Sequence, residues 1–131
     1  MLFAVLNGKL SEGINLSGDL CRLCVIAGIP LPNANNAEVI AKTELLKQRF
    51  TEEFANEFWV SLAMRAVNQA VGRIIRNSKD FGVALLADER FADDRFCSKL
   101  SEWIRRSVVK VNDFGEGFVS ILKFLKQFES G

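Results

Sequence analysis

The longest helical pattern in this sequence is FANEFWVSLAMRAVNQAVGRII, which occupies residues 54–75. Apolar side chains recur every three or four residues along two adjoining sides of this stretch, as they do in a helix that packs into a core. The stretch follows Thr51, Glu52 and Glu53, a residue that can cap a helix and two acids suited to its first turn. We therefore predict a mostly buried helix that begins after Thr51 and ends at about Ile75.

Short apolar runs and further helical patterns alternate on both sides of this helix. Strands are predicted within residues 2–6, 20–29, 83–87 and 108–111, and further helices within 37–49, 100–106 and 115–128. The last helix carries Phe118, Ile121, Leu122 and Leu125 on one face, which we expect to pack into the core. Continuous apolar strands that alternate with helices are typical of a three-layer α/β sandwich with a mainly parallel sheet.

Composition limits the classes of function that the chain can have. The 131 residues suit one domain, and 49% hydrophobic with 25% charged residues is an ordinary globular composition. There is no histidine, so catalysis by a serine–histidine or cysteine–histidine pair is excluded. The net charge of +1 excludes a basic field over the whole domain. No apolar run approaches the roughly 20 residues of a membrane span, and an odd number of cysteines favours a reducing compartment.

A polar stripe interrupts the apolar helix. Arg65, Gln69, Gly72, Arg73 and Arg76 fall within an arc of roughly 100° when successive residues turn by about 100°. Three cations on one side of a buried helix repel one another and are costly to desolvate, so we expect an anion to face them. The glycine costs the helix about 1 kcal/mol relative to alanine, which favours close approach of a ligand or of another backbone.

Two explanations of the stripe stay open at this point. The arginines form structural salt bridges with acids of the sheet, since buried arginines are usually paired. Alternatively, their guanidinium forks recognise phosphate groups. Spacing alone does not separate the two.

Two other motifs suggest chemistry that their surroundings do not support. Asp88 and Glu89 end an apolar strand, as magnesium ligands do, but the chain has no phosphate-binding loop of the G-x-x-x-x-G-K-[ST] type. We predict instead that Asp88 and Arg90 hold the strand end to its neighbours. Cys21 and Cys24 have the spacing of half a zinc site without a second pair, so we predict that they are core residues.

Five blocks of sequence, in this order along the chain, resemble a known family. They are GKLSEGINL at 8–16, GIPLPN at 28–33, QAVGRIIR at 69–76, LADERF at 86–91 and LSEWI at 100–104. Together they resemble the XPD-like, iron–sulfur branch of superfamily 2 DNA helicases, nearest its cohesion-linked ChlR subgroup. Leu31, Asn77 and Ser101 depart from that pattern, where an aromatic residue, a histidine and a proline are common.

The resemblance implies that residues 1–131 are the C-terminal, RecA-like motor half of such a helicase, with the first motor half outside this sequence. In the family, ATP lies between the two halves, and arginines of the second half reach its γ-phosphate. By motif position, Arg76 would be the arginine finger and Arg73 its partner. Gln69 would link the nucleotide to the domain interface, and Gly72 would belong to the same nucleotide contact.

The block at 8–16 implies a second group of functional residues. Glu12, Gly13 and Asn15 would couple the nucleotide ribose and domain closure to the DNA track. Lys9 and Ser11 would lie near the DNA backbone. No metal ligand is expected in this half.

The function that the resemblance implies is ATP hydrolysis coupled to unwinding of DNA, with 5′-to-3′ movement on single-stranded DNA, in the nucleus and in DNA repair. ATP and Mg²⁺ would be shared with the first motor half, and an iron–sulfur cluster would belong to that half alone. The isolated chain would not hydrolyse ATP, and no membrane association is expected. The alternative is a catalytically inactive nucleic-acid-binding or scaffold domain that kept the same fold.

Overall fold

The computed structural model of this chain describes residues 4, 6, 21–75 and 79–129. Its elements, in order, are β1 (Leu23–Ile26), α1 (Ala37–Arg49), α2 (Glu52–Gly72), β2 (Val83–Leu86), a 3-10 turn (Glu89–Ala92), α3 (Asp94–Cys97), α4 (Glu102–Arg105) and α5 (Phe114–Glu129). The strand predicted at 2–6 lies largely outside the described residues, although Leu6 lies in a turn and packs against the core. No described helix is both long and apolar enough to cross a membrane.

The two strands form a parallel pair. Leu23 lies opposite Val83 and Ile26 opposite Leu86. The pairing continues at both ends, where Val83 N–H donates to the Arg22 carbonyl (2.8 Å) and Ala87 N–H to the Ile26 carbonyl (2.9 Å). The strands predicted within 20–29 and 83–87 are therefore confirmed, as is their parallel orientation.

Helix α2 packs one of its sides against this sheet. Met64 and Val67 have the largest fully buried side chains, and Ile26 of β1 belongs to the same core cluster. The opposite side of α2 is exposed, and it includes Leu62, which is 40% accessible. The prediction of a mostly buried helix is therefore wrong for half of its circumference, because the described residues cover α2 on one side only.

A short connection fixes the start of α2. Thr51 caps the helix by accepting a hydrogen bond from Phe54 N–H at 3.0 Å, as its sequence predicts. Lys47 at the end of α1 pairs with Glu52 at 3.0 Å. Trp59 Nε1 donates to the Thr43 hydroxyl at 2.9 Å, which ties the two helices together farther along.

The region after β2 departs most from the prediction. Residues 108–111 form no strand, and Val109 is 75% exposed. Helices α4 and α5 form where predicted. On the apolar face of α5, Phe118 and Leu122 are 49% and 40% exposed, so the expected core packing is wrong for these two residues, whereas Ile121 and Leu125 are partly buried. The chain is an α/β protein with a parallel strand pair, whereas a full three-layer sandwich is not formed by the residues described.

Candidate functional site

The described residues of the polar stripe lie on the side of α2 that is open to water. Arg65 and Gln69 are exposed, and Gly72 and Arg73 are partly buried. Residues separated by three or four positions lie above one another on a helix, so Gln69 shares a face with Gly72 and Arg73. The expectation that the cations are desolvated within the chain is wrong for Arg65, which is exposed, and Arg73 is only partly buried, while Arg76 lies outside the described residues.

The end of α2 sets the position of Arg73. The regular helix ends at Gly72, three residues before the predicted end at Ile75. Arg73 caps it with φ −79° and ψ −22°, and Ile74 N–H donates to the Val71 carbonyl at 3.1 Å. Ile74 is only 3% exposed and anchors the turn in the core. The backbone that carries Arg73 is therefore held on the core side while its side chain stays partly accessible.

The described residues provide no acidic partner for the stripe. Arg65 and Arg73 form no ion pair with any of them, and Gln69 has no side-chain hydrogen bond within the same part of the chain. The salt-bridge explanation of the stripe therefore has no support among residues 21–75 and 79–129. Phosphate recognition, the other explanation, requires hydrogen-bond donors that are not already bonded to another protein group. Among the described residues, the side chains of Arg65, Gln69 and Arg73 meet this requirement.

The environment of Gly72 is open. No described atom outside its own helical turn lies within 4 Å of the place that a Cβ atom would occupy. Close approach of another backbone, one of the two reasons suggested for this glycine, is not observed in the described part of the chain. The space beside it is available to a group from outside.

Six predicted site residues lie outside the described residues. They are Lys9, Ser11, Glu12, Gly13, Asn15 and Arg76. The structure therefore locates Gln69, Gly72 and Arg73 and places these three on one side of α2.

Asp88 joins the two strand ends, as the sequence predicts. Its carboxylate accepts a hydrogen bond from Ile29 N–H at 3.1 Å, just beyond β1, and pairs with Arg90 at 2.6 Å, just beyond β2. The Arg90 side chain holds the pKa of the Asp88 carboxyl well below its usual range, and the N–H groups of Arg90 and Ile29 act in the same direction. These contacts explain why a carboxylate stands at the end of the strand, without a catalytic role for it.

Of Cys21 and Cys24, which were both predicted to be core residues, Cys24 lies at the core. It packs against the core cluster, and burial raises the pKa of its thiol. At a given pH, a raised pKa leaves a smaller fraction of the thiol ionised to the reactive thiolate. Cys21 is partly buried, and its thiol lies 3.4 Å from the Leu23 carbonyl oxygen.

Asn68 makes a contact that was not predicted from the sequence. Its side-chain amide donates to the Lys99 carbonyl at 2.9 Å and accepts from Ser101 N–H at 2.8 Å, so it joins α2 to the segment that precedes α4. The available signal was a polar amide between Val67 and Gln69, where the apolar register of α2 is strongest.

A second missed feature is a group of charges beside Asn68. Glu57 accepts from Lys99 Nζ and from Arg95 Nε, each at 2.8 Å. The hydrogen bond from Lys99, followed by that from Arg95, lowers the pKa of the Glu57 carboxyl. Glu57 is far from Arg95 and Lys99 in the sequence, so residue spacing does not reveal this group.

Known proteins resemble this chain over most of its length. Residues 1–107 match the helicase C-terminal domain family. The ATP-dependent DNA helicase CHL1 of Candida glabrata is 38% identical over 97% of this chain and 16% of its own length. For the proteins of that name from Eremothecium gossypii and Saccharomyces cerevisiae, identity is 37% over 100% of this chain and 42% over 82%. The chain spans about a sixth of the length of the curated relatives it matches.

Proposed function

Because this chain belongs to the helicase C-terminal domain family, we propose that it is the second motor domain of an ATP-dependent DNA helicase of the XPD-like class. In this proposal the chain works with a first motor half, and each half has a RecA-like fold. The observation that carries the proposal is the exposed side of α2, where Gln69, Gly72 and Arg73 have no partner among the described residues.

The chemistry of these groups suits a nucleotide triphosphate. Guanidinium and amide groups donate hydrogen bonds, and phosphate oxygens accept them. In this proposal Arg76 is the arginine finger and Arg73 its partner, and both stabilise the charge that develops on the γ-phosphate. No cluster of three possible metal ligands occurs in the described residues. The proposal assigns the carboxylates that hold Mg²⁺, and the iron–sulfur cluster, to the first motor half.

DNA contacts are assigned to the block at 8–16. Lys9 and Ser11 contact the backbone of a single strand, and Glu12, Gly13 and Asn15 couple the ribose and domain closure to that contact. The similarity of the chain to proteins named DNA helicases supports DNA as the nucleic acid. Movement in the 5′-to-3′ direction, a nuclear location and a role in DNA repair complete the proposal.

Reconstitution tests this function. Magnesium-dependent ATP turnover is measured, with and without single-stranded DNA, for the chain alone and for the chain joined to its first motor half. We expect turnover only from the joined protein, because the chain alone lacks the groups that hold the β- and γ-phosphates. Turnover by the pure chain would refute the half-motor assignment. A joined protein that binds DNA but lacks turnover would establish the alternative, a catalytically inactive binding domain.

Arg76→Ala in the joined protein tests the arginine finger. We expect turnover to fall by about 10³-fold or more, with a smaller effect on ATP affinity, since the contact strengthens in the transition state. Arg76→Lys should rescue little, because an ammonium group lacks the planar fork. Arg49→Ala, an exposed arginine at the end of α1, is the matched control and should keep parental turnover. Parental turnover in Arg76→Ala would remove the finger assignment.

A further inference from the structure

A groove of about 580 Å³ opens beside the middle of α2. Its lining residues all carry a hydrogen-bond donor in their side chains: Ser61, Arg65, Asn68, Gln69, Lys99 and Ser101. None of these side chains is an acid. With two cations, Arg65 and Lys99, in this lining, the groove favours an anion, such as an oxyanion, over a cation.

Hydrogen bonds of Asn68 fix one wall of the groove. Its amide group binds the backbone on both sides of Leu100, at the Lys99 carbonyl and at Ser101 N–H. Leu100 itself is only 4% exposed and belongs to the core cluster. The segment that carries Lys99 and Ser101 is thus held against α2 before any ligand binds, which lowers the entropy cost of binding.

The charges around the groove do not cancel. Arg65 has no acidic partner among the described residues, while Lys99 and Arg95 share the single carboxylate of Glu57. The lining contributes two cations, Arg65 and Lys99, and Glu57 neutralises at most one of them, whereas the net charge of the whole chain is +1. Positive charge is therefore concentrated here within a domain that is almost neutral.

We propose that this groove binds phosphate oxygens, with Arg65 and Lys99 supplying the charge and Ser61 and Ser101 supplying hydroxyl donors. The phosphate belongs either to a nucleic-acid strand or to a free oligophosphate. Gln69, which the proposed function assigns to the nucleotide, also lines this groove. The site is therefore argued on Arg65 and Lys99, which have no role in the proposed function. The use of DNA as one probe rests on the proposed function, while the groove and its charge do not.

Binding measurements on the 131-residue chain test the site with two probes. Fluorescence anisotropy follows a labelled 12-nucleotide oligothymidylate, and isothermal calorimetry follows sodium tripolyphosphate. For Arg65→Gln and Lys99→Gln we expect Kd for one probe or both to rise about tenfold. With the oligonucleotide, the slope of log affinity against log salt should become shallower by about one.

Matched variants remove the same charge elsewhere. Arg49→Gln and Lys123→Gln are exposed cations outside the groove lining and should change Kd by less than twofold. Loss confined to the oligonucleotide assigns a strand phosphate, and loss confined to tripolyphosphate assigns a free oligophosphate. Loss of affinity for both probes supports the site, and the probe that the parent chain binds more tightly identifies the source of the phosphate.

The proposal is overturned if the parent chain binds neither probe, or if the groove variants match their controls. Arg65 is exposed and makes no contact that the fold requires, so Arg65→Gln decides the matter even where Lys99→Gln unfolds through loss of its pair with Glu57. Failure here leaves ATP turnover of the joined protein unchanged. Failure of the proposed function would abolish that turnover and leave these isotherms unchanged.

Discussion

At the scale of single residues, the arginines of this chain differ in where their partners lie. Arg90 pairs with Asp88 and Arg22 with Asp80, both inside the domain. Arg65 and Arg73 have no such partner in the described part of the chain. The Asp88–Arg90 contact was predictable because both residues follow the same strand. The exposure of the stripe was not, because helical periodicity identifies two sides of a helix without showing which of them the rest of the protein covers.

The pKa of Asp88 makes stability depend on acidity. Because its pKa is lowered in the folded state, the carboxylate stabilises the fold fully above the unfolded value of about 3.9, and this contribution is lost as pH falls below that value. We expect the free energy of unfolding of the parent to fall from pH 5 toward pH 2, measured by urea denaturation. Asp88→Asn should reduce this fall without abolishing it, because Glu57 acts in the same direction.

Asp94→Asn is the control for that measurement. Asp94 is exposed, and its side chain has no hydrogen bond or ion pair with the residues that the structure describes. Its substitution should leave the pH dependence as in the parent. Equal pH profiles for Asp88→Asn and the parent would show that the contacts of Asp88 do not stabilise the fold.

Two glycines give opposite predictions for the same substitution. A Cβ atom on Gly82 would lie 2.6 Å from Cγ2 of buried Ile74 and 3.4 Å from the Arg22 carbonyl oxygen. Gly82→Ala should therefore lower the free energy of unfolding by about 1–3 kcal/mol, measured by urea denaturation. Gly72→Ala meets no described atom, and should leave it unchanged or raise it by up to about 1 kcal/mol. An equal loss in both variants would contradict the packing described around Ile74.

At the scale of elements, prediction succeeded where local signals and packing agree. Helix α1 follows the capping residue Asn36, and α2 follows Thr51, so both start where side-chain chemistry places them. Prediction failed at 108–111, where a β-branched run has no neighbouring strand among the described residues and Lys110 instead donates to the Ala92 carbonyl. Strand formation depends on a partner, and a local pattern does not show whether one is present.

Asn68 is the contact between elements that substitution tests best. Asn68→Ala removes both hydrogen bonds to the backbone around Leu100 and leaves a partly buried carbonyl and N–H without their partner. We expect a loss of about 1–3 kcal/mol in the free energy of unfolding, measured by urea denaturation. Asn56→Ala, an exposed asparagine of the same helix, should change it by less than about 0.5 kcal/mol. Similar values for the two variants would show that Asn68 does not hold the segment before α4.

At the scale of the whole molecule, several surfaces that the sequence marks as core are exposed. Leu23 and Val25, on the side of β1 away from α2, are 45% and 53% exposed, and the apolar face of α5 is open to a similar degree. The family is clear from the order of its sequence blocks, yet the third layer of the predicted sandwich is not seen in the described residues. The chain spans about a sixth of the length of its curated relatives.

The charge of the whole molecule predicts how it binds nucleic acid by itself. A net charge of +1 gives no long-range attraction, so affinity for single-stranded DNA should come from a few phosphate contacts and should be weak. Two or three such contacts give a slope of log affinity against log salt of about −2, which is roughly a 15-fold loss between 50 and 200 mM salt.

Anisotropy of a labelled oligothymidylate over this range measures the slope, and a duplex of equal length is the comparison. Because the function proposed above is movement along one strand, we expect the single strand to bind more tightly. Tight binding that persists at 200 mM salt, or a marked preference for the duplex, would show that the chain recognises DNA through bases or shape rather than through phosphates.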